Sequence, residues 1–168
     1  MISATLQFTG DILDDYLKSH FGINESKVVL NSPVSADGTI PTGNMNKVLL
    51  SLINLDRTAT KAPISFGYKA ATAQPADDVK TGNYTLYILA STNFDNYTDA
   101  LKFLDAIVVF FSEHTLLERA AYPNLPNAAS KIEVTLEPAD GVHMRSIWLA
   151  LGARYQPSVI YKLVVTAV

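Results

Sequence analysis

The apolar run that closes the sequence, SVIYKLVVTAV from Ser158 to Val168, constrains the fold more than any other segment. Its β-branched and aromatic residues, with Lys162 as the one charge, predict a buried β-strand. Gly152 and Pro157 precede the run and predict a helix end followed by a turn onto a sheet. The other face of this strand, or an open edge, is available to a partner. The face expected in the core is formed by Val159, Tyr161, Leu163 and Val165, or by their complement.

The rest of the sequence alternates between helical and strand-like patterns. In the first half of the chain we predict a helix over 2–20, a strand over 27–30, a loop over 31–46, a strand over 47–55 and a long loop over 56–83. In the second half we predict a strand over 84–92, a helix capped by Asp95 or Asn96, a strand over 131–136, a short helix capped by Asp140, and the closing strand. This order predicts one α/β (α+β) domain over residues 1–168, with a single mixed sheet of about four to five strands packed by about two to three helices.

Two of the predicted helices carry apolar stripes. In the helix after residue 95, the stripe at helical spacing consists of Leu101, Leu104, Val108 and Phe111. That helix ends in IVVFF over 107–111 and is apolar nearly all round, so it either lies within the core, which we favour, or covers a partner. In the short helix after Asp140, the predicted buried stripe consists of Met144, Ile147, Trp148 and Leu151.

The chain is poor in charge, and its charges are unevenly distributed. Charged residues make up 17% of the sequence, against roughly 25% in an average soluble domain. This fits either a surface of neutral polar residues or a surface partly buried in an assembly. An acidic segment runs from Asp95 to Glu118, whereas the charges after Asp140 are the bases Arg145, Arg154 and Lys162. These poles meet either between neighbouring subunits or within the fold.

The sequence offers no constellation for catalysis or for cofactor or metal binding. It has no Cys, and its three His residues lie in different predicted elements without the spacing of a zinc site. Neither a phosphate-binding glycine loop nor a hydrolase nucleophile elbow occurs. A net charge of −3 without a basic cluster argues against nucleic acid as the main partner. No signal peptide and no membrane span are expected, so assembly is expected in the cytoplasm.

Four segments together resemble a known family. They are LQFTGDILDDYLKSHFG followed by KVVL, then NKVLLSLINL, then NYTLYILASTNFDNYTDALKFLDAIVVFF, and last IWLALGARYQPSVIYKLVVTAV. With these segments nearly the whole chain resembles the N-terminal domain of the tube-cap, or tail-terminator, proteins of phage-tail-like contractile injection systems. The closing segment is the most specific, because a Trp helix, a Leu-Gly-Ala-basic-Tyr turn, Pro-Ser and Tyr-Lys occur together in it.

The resemblance implies a structural subunit that is not an enzyme. It implies a homo-hexameric ring that ends the inner tube and anchors the last sheath layer of the injection particle. The expected partners are the inner tube protein, the sheath protein and a second cap or adaptor protein, without direct membrane insertion. Because some members carry a further C-terminal domain, the chain is expected to be either the compact cap or an adaptor ring beneath a larger cap.

Under this resemblance, three segments are predicted to form interfaces. The loop over 31–46, with Asn31 and Asp37, is expected to contact the tube. The ISFGY segment within the long loop, with Ile64, Phe66 and Tyr68, is expected at a subunit interface. The closing strand could contact the sheath or a neighbour, including by strand addition at an open edge. The further residues predicted at interfaces are Arg145, Arg154, Tyr155, Tyr161, Lys162 and Val164.

Two alternatives stay open at this point. The chain could be a small ligand-binding or enzymatic α/β domain with a pocket under the long loop, or a monomeric adaptor of another assembly.

Overall fold

The computed structural model describes residues 1–58 and 83–168. The described residues form three helices, α1 (Ile2–Phe21), α2 (Tyr97–Glu113) and α3 (Gly141–Leu151), with a short 3-10 turn over Thr42–Asn44. They also form six strands, β1 (Val28–Leu30), β2 (Lys47–Thr58), β3 (Asn83–Asn93), β4 (Leu116–Glu118), β5 (Ala129–Glu137) and β6 (Ser158–Ala167). The predicted interface residues Ile64, Phe66 and Tyr68 lie outside the described residues.

One mixed sheet joins all of these strands in the order β1-β2-β3-β6-β5-β4. β1 runs parallel to β2, and every other neighbouring pair is antiparallel. The closing strand β6 lies inside the sheet, paired with β3 along one side and with β5 along the other. It has no open edge, so the predicted strand addition to the closing strand is wrong.

The two faces of the sheet are covered differently. α1 and α2 pack on one face, where Ile88 of β3 and Tyr161 of β6 belong to a large core that includes Leu13 and Ile107. α3 packs on the opposite face, where Trp148 covers Leu89 of β3 and Ile160 of β6 in a smaller cluster. Successive side chains of a strand point to opposite faces, so neighbouring residues of β3 and β6 serve the two clusters alternately.

The closing strand follows the predicted alternation. Tyr161, Leu163 and Val165 are buried in the core under α1 and α2, and Val159 packs against it. Of the complementary set, Ile160 lies under α3, while Lys162 and Val164 are half-buried.

Helix α1 begins directly after Met1 and ends where Gly22 adopts a left-handed conformation with φ 63°. Its buried side includes Gly10, which the sequence shows as a weak point inside the helix. A Cβ at this position would lie 3.6 to 3.8 Å from side-chain atoms of Leu30, Val28 and Leu50. These are ordinary van der Waals distances, so α1 packs on the first two strands here with room for a small side chain.

Asp14 joins α1 to the start of β1. Its Oδ1 accepts hydrogen bonds from the backbone N–H groups of Lys27 and Val28 at 2.7 and 2.9 Å, and its Oδ2 lies 2.7 Å from Lys18 Nζ. Burial acts to raise the pKa of this carboxyl, but the hydrogen bonds from Lys18 and the backbone outweigh it and lower the pKa. The carboxylate thus satisfies backbone donors that β1 would otherwise leave unpaired.

We expect Asp14→Ala to lower the free energy of unfolding by about 1–3 kcal/mol at neutral pH, because two part-buried N–H groups lose their acceptor. Since the folded pKa lies below the unfolded one, this contribution is present above the unfolded pKa and is lost as pH falls through the folded pKa. Urea unfolding at pH 7 and at pH 3 would measure both effects. The matched control is Asp15→Ala at the exposed neighbouring position, and an equal loss in both variants would contradict the assignment.

Helix α2 differs from its predicted orientation. Asn96 caps it by accepting a hydrogen bond from Asp99 N–H. The IVVFF end contributes to the core as favoured, through Ile107 and its two Phe residues. The predicted stripe is only partly buried, because Phe111 is 2% exposed whereas Leu101 and Val108 are 40% and 41% exposed. Periodicity alone cannot distinguish the two sides of a helix that is apolar nearly all round. The buried side instead consists of Ala100, Phe103, Ala106, Ile107, Phe110 and Phe111.

The remaining differences concern element ends and one short strand. The fold class is confirmed, and the sheet gains β4, which spans only three residues and carries too short a pattern to detect. β2 continues to Thr58 and β3 begins at Asn83, so both ends of the predicted loop over 56–83 are strand. In α3, Trp148 is the fully buried member of the predicted stripe, while Met144, Ile147 and Leu151 are half-buried.

Candidate interaction surfaces

Helix α3 presents an apolar outer side to solvent. Asp140 caps its start by accepting a hydrogen bond from His143 N–H at 2.7 Å, and Gly152 ends it with φ 69°. On the side away from the sheet, Val142 and Leu149 are 74% and 69% exposed, with the exposed Arg145 between them. A helix of a globular protein normally turns charged or polar residues outward, so this side is suited to a partner.

A groove runs along the same helix. It has a volume of about 510 Å³ and is lined mainly by Met144, Arg145, Trp148, Leu149 and Tyr155. Tyr155 meets the ring of Trp148 edge-on at 5.9 Å between ring centres and is itself 64% exposed. The predicted interface residues Arg145 and Tyr155 therefore lie on one surface.

The loop over 31–46 lies beside the turn that follows α3. Pro33, Val34 and Ile40 from the loop, with Arg154 and Gln156 from the turn, line a shared cavity of about 250 Å³. Two segments predicted separately as interfaces are thus brought together at one site, and the exposed Arg154 is at its rim.

Asn31 and Asp37 have their polar groups engaged within this loop. Asn31 donates to Asn44 Oδ1 at 2.9 Å, and its carbonyl accepts a hydrogen bond from Ser51 Oγ at 2.6 Å. Asp37 accepts from the hydroxyl and the backbone N–H of Thr39, and these bonds lower the pKa of its carboxyl. Both residues hold the loop in its shape, and both are exposed on its surface.

Tyr161 is buried rather than available to a partner. Its ring lies 4.4 Å from that of Phe111, between ring centres, and the side chain is 2% exposed. Burial raises the pKa of its hydroxyl to about 12. The interface prediction for Tyr161 is therefore corrected to a core role. Lys162 and Val164 point to the other face of the sheet, where they lie opposite Thr135 and Glu133 of β5.

Another groove lies between α1 and α2 at the start of β1. It has a volume of about 620 Å³, and its floor includes the rings of Phe21, Phe94 and Phe103. Glu25 at its rim lies within 2.8 Å of the amino groups of Lys27 and Lys47, whose hydrogen bonds lower its pKa to about 2. The ion pairs tie together the starts of β1 and β2.

The two charge poles noted in the sequence lie on opposite faces of the sheet. The acids of α2 are on the face covered by α1 and α2, whereas Arg145 belongs to α3 on the other face. Within residues 1–58 and 83–168, no ion pair joins the acids of 95–118 to Arg145, Arg154 or Lys162. The poles do not neutralise each other within this part of the chain.

The outer side of α2 is a further exposed apolar surface. Tyr97 is 65% exposed, and it continues the line of Leu101 and Val108 along the helix. The sequence indicates this surface through a second apolar stripe, which lies beside the buried stripe containing Phe103 and Phe110.

Two of the three histidines, His20 and His114, pack against neighbouring residues. Nδ1 of His114 lies 2.7 Å from the carbonyl of Phe110 at the end of α2, and the ring of His20 stacks on Tyr16. No group of three or more His, Asp or Glu side chains among the described residues could hold a metal ion. No helix in the described ranges is both long enough and apolar enough to cross a membrane.

Comparison with known proteins places the chain in a family. The fold is similar to that of a protein in a cryo-electron microscopy structure described as an extracellular contractile injection system, PVC sheath/tube terminator in extended state. Identity is 12%, the TM-score is 0.53, and the match covers 93% of this chain and 55% of that one, so this chain spans about half its length. No curated protein sequence matches. The family model described as the Pvc16 N-terminal domain matches residues 5–168, and the chain therefore belongs to that family.

Proposed function

We propose that this chain is a structural, non-enzymatic terminator subunit of a contractile injection system. In this proposal it forms a hexameric ring that ends the inner tube and anchors the last sheath layer. The observation that carries the proposal is the family match over residues 5–168, supported by a fold shared with a sheath/tube terminator. The subunit would be made in the cytoplasm and carried in the particle.

A terminator of this kind must solve a simple physical problem. The end of a tube is a ring of subunit contacts without partners, and it continues to recruit tube subunits until another ring occupies it. A closed ring repeats one heterologous contact around an axis, so all of its copies engage the tube end together. Such multivalent binding is slow to dissociate even where each contact is modest.

We assign the surfaces to the partners as follows. The loop over 31–46, supported by Asn31 and Asp37, would face the inner tube, together with the adjoining Arg154. The half-buried Lys162 and Val164 lie on the sheet face that α3 shares, which would receive the sheath protein, a neighbouring subunit, or a second cap or adaptor protein. Ile64, Phe66 and Tyr68 stay as a proposed subunit contact on the strength of the sequence alone.

Deletion of the gene tests the proposal. We expect inner tubes of uncontrolled length, or particles without firmly attached sheath, because nothing would occupy the tube end. Electron microscopy of purified particles would measure tube length and sheath occupancy, with a strain complemented by the wild-type gene as control. Particles of normal length and sheath content after deletion would rule out this function.

A further inference from the structure

The outer stripes of α2 and α3 have matching patterns. On α2, Asp105 is exposed between Leu101 and Val108, which are 40% and 41% exposed. On α3, Arg145 is exposed between Val142 and Leu149. Each stripe is thus an apolar residue, a charge and an apolar residue, and the central charges have opposite signs.

The spacing of the two stripes also agrees. Each spans two turns of helix, or about 10.5 Å at the usual rise per residue. Asp105 lies one residue nearer to Val108 than to Leu101, and Arg145 lies one residue nearer to Val142 than to Leu149. When the two helices run antiparallel, Asp105 faces Arg145 while both apolar residues of each stripe face those of the other. When the helices run parallel, the two charges are displaced from each other by one residue.

The two stripes cannot meet within one molecule. α2 lies on one face of the sheet and α3 on the other, and no residue of the described ranges forms an ion pair with Asp105 or Arg145. The outer stripe of α2 in one copy can therefore pack on the outer stripe of α3 only when that stripe belongs to another copy. Contacts between two different surfaces on opposite sides are heterologous, and they produce rings or filaments rather than closed dimers.

We propose that neighbouring copies of this chain associate by packing α3 of one copy antiparallel on α2 of the next. Asp105 then pairs with Arg145 at the centre, Leu101 packs on Leu149, and Val108 packs on Val142. The apolar pairs flank the ion pair and reduce its contact with water, which strengthens it relative to an exposed pair. The closure of these contacts into a hexamer rests on the proposed function, whereas the contact itself does not.

Disulfide trapping tests the pairing directly, because the natural chain has no Cys. The variant with both Val108→Cys and Val142→Cys brings the two thiols together between copies in the antiparallel arrangement. Oxidation of concentrated protein is expected to give a ladder of covalent multimers on a non-reducing gel. The control is the variant with Leu101→Cys and Val142→Cys, whose thiols are separated by about 10 Å in this arrangement and should give little ladder. Equal ladders from both variants, or none from the first, would overturn the proposal.

Charge reversal provides the second measurement. Asp105→Arg and Arg145→Asp each place like charges at the centre of every contact, and we expect association to weaken by at least about tenfold in either single variant. Combining both substitutions in one chain should restore association, as should mixing the two single variants. Analytical ultracentrifugation would measure it, with Asp15→Arg on the exposed side of α1 as the matched control. Unchanged association in the single variants, or none regained in the double variant, would contradict the pairing.

These results are separable from the function of the chain. If deletion of the gene changes tube length but the charge reversals leave association intact, then the proposed function stands and this interface is wrong. If the ladder forms as expected while particles lacking the gene are normal, then the interface stands and the terminator function is wrong.

Discussion

Truncation after Gln156 is expected to leave no soluble folded protein. The missing strand β6 pairs with β3 from Tyr84–Val165 to Ser91–Ser158, and with β5 from Ala129–Ala167 to Glu137–Ile160. Its removal would separate the sheet into two parts and delete the buried side chains Ile160, Tyr161, Leu163 and Val165.

The size of the loss supports an all-or-none outcome. Four buried side chains at roughly 1.5–3 kcal/mol each represent about 6–12 kcal/mol of stabilisation. Whole domains are typically stable by only about 5–15 kcal/mol. Loss of the hydrogen-bonded ladders on both sides adds to this, because it leaves β3 and β5 with unpaired backbone groups.

The soluble fraction after expression and far-ultraviolet circular dichroism of that fraction would measure the effect. A chain ending at Ala167 is the matched control, because it lacks only Val168, which is 73% exposed. This control should stay soluble and unfold cooperatively. A soluble product ending at Gln156 with a cooperative unfolding transition would show that β6 does not hold the sheet together.

Trp148→Ala is expected to lower the free energy of unfolding by about 3–5 kcal/mol, the range usual for a large buried aromatic residue. Trp148 is 3% exposed, and it covers Leu89 and Ile160 on the face of the sheet opposite α1 and α2. Its indole N–H also donates to Ser158 Oγ at 3.2 Å. The substitution would remove the main anchor of α3 and uncover the centre of the sheet.

Urea unfolding followed by far-ultraviolet circular dichroism would measure this change. His143→Ala is the matched control, because this side chain of α3 is exposed and is not part of the proposed contact between copies, so its loss should change stability by less than about 0.5 kcal/mol. Trp148 is the one Trp in the chain, so its fluorescence in the wild-type protein reports the docking of α3. Equal destabilisation by the two substitutions would mean that the inner side of α3 is not the anchored side.

The sequence was informative where one side of an element is buried and the other is not. The alternation in β6 correctly predicted that Tyr161, Leu163 and Val165 share a face, and Gly152 and Asp140 marked the ends of α3. It was least informative for α2, because both of its sides are apolar and periodicity does not say which one meets the sheet. The predicted stripe therefore combined the buried Phe111 with Leu101 and Val108 of the exposed side.

The sequence also did not predict which strands pair with the closing strand. The closing run fits a central strand and an edge strand equally well, because an edge strand that is covered by a partner is as apolar as a central one. Its position was decided by partners more than 20 residues away in sequence, such as Leu163 with Leu86 and with Val134. For the same reason the sequence does not reveal that Asp14 is buried against the start of β1, where it accepts hydrogen bonds from backbone N–H groups.

The central position of β6 also has a consequence for the order in which the protein is made. β6 is the last strand of this domain in the chain, yet it joins β3 to β5, so the sheet cannot be completed while residues 158–167 are still being synthesised. Pairing of residues that are distant in sequence slows folding, and the incomplete sheet has open strand edges until then. A nascent chain therefore lacks a complete sheet, and the surfaces that the sheet supports, until residue 167 has been synthesised.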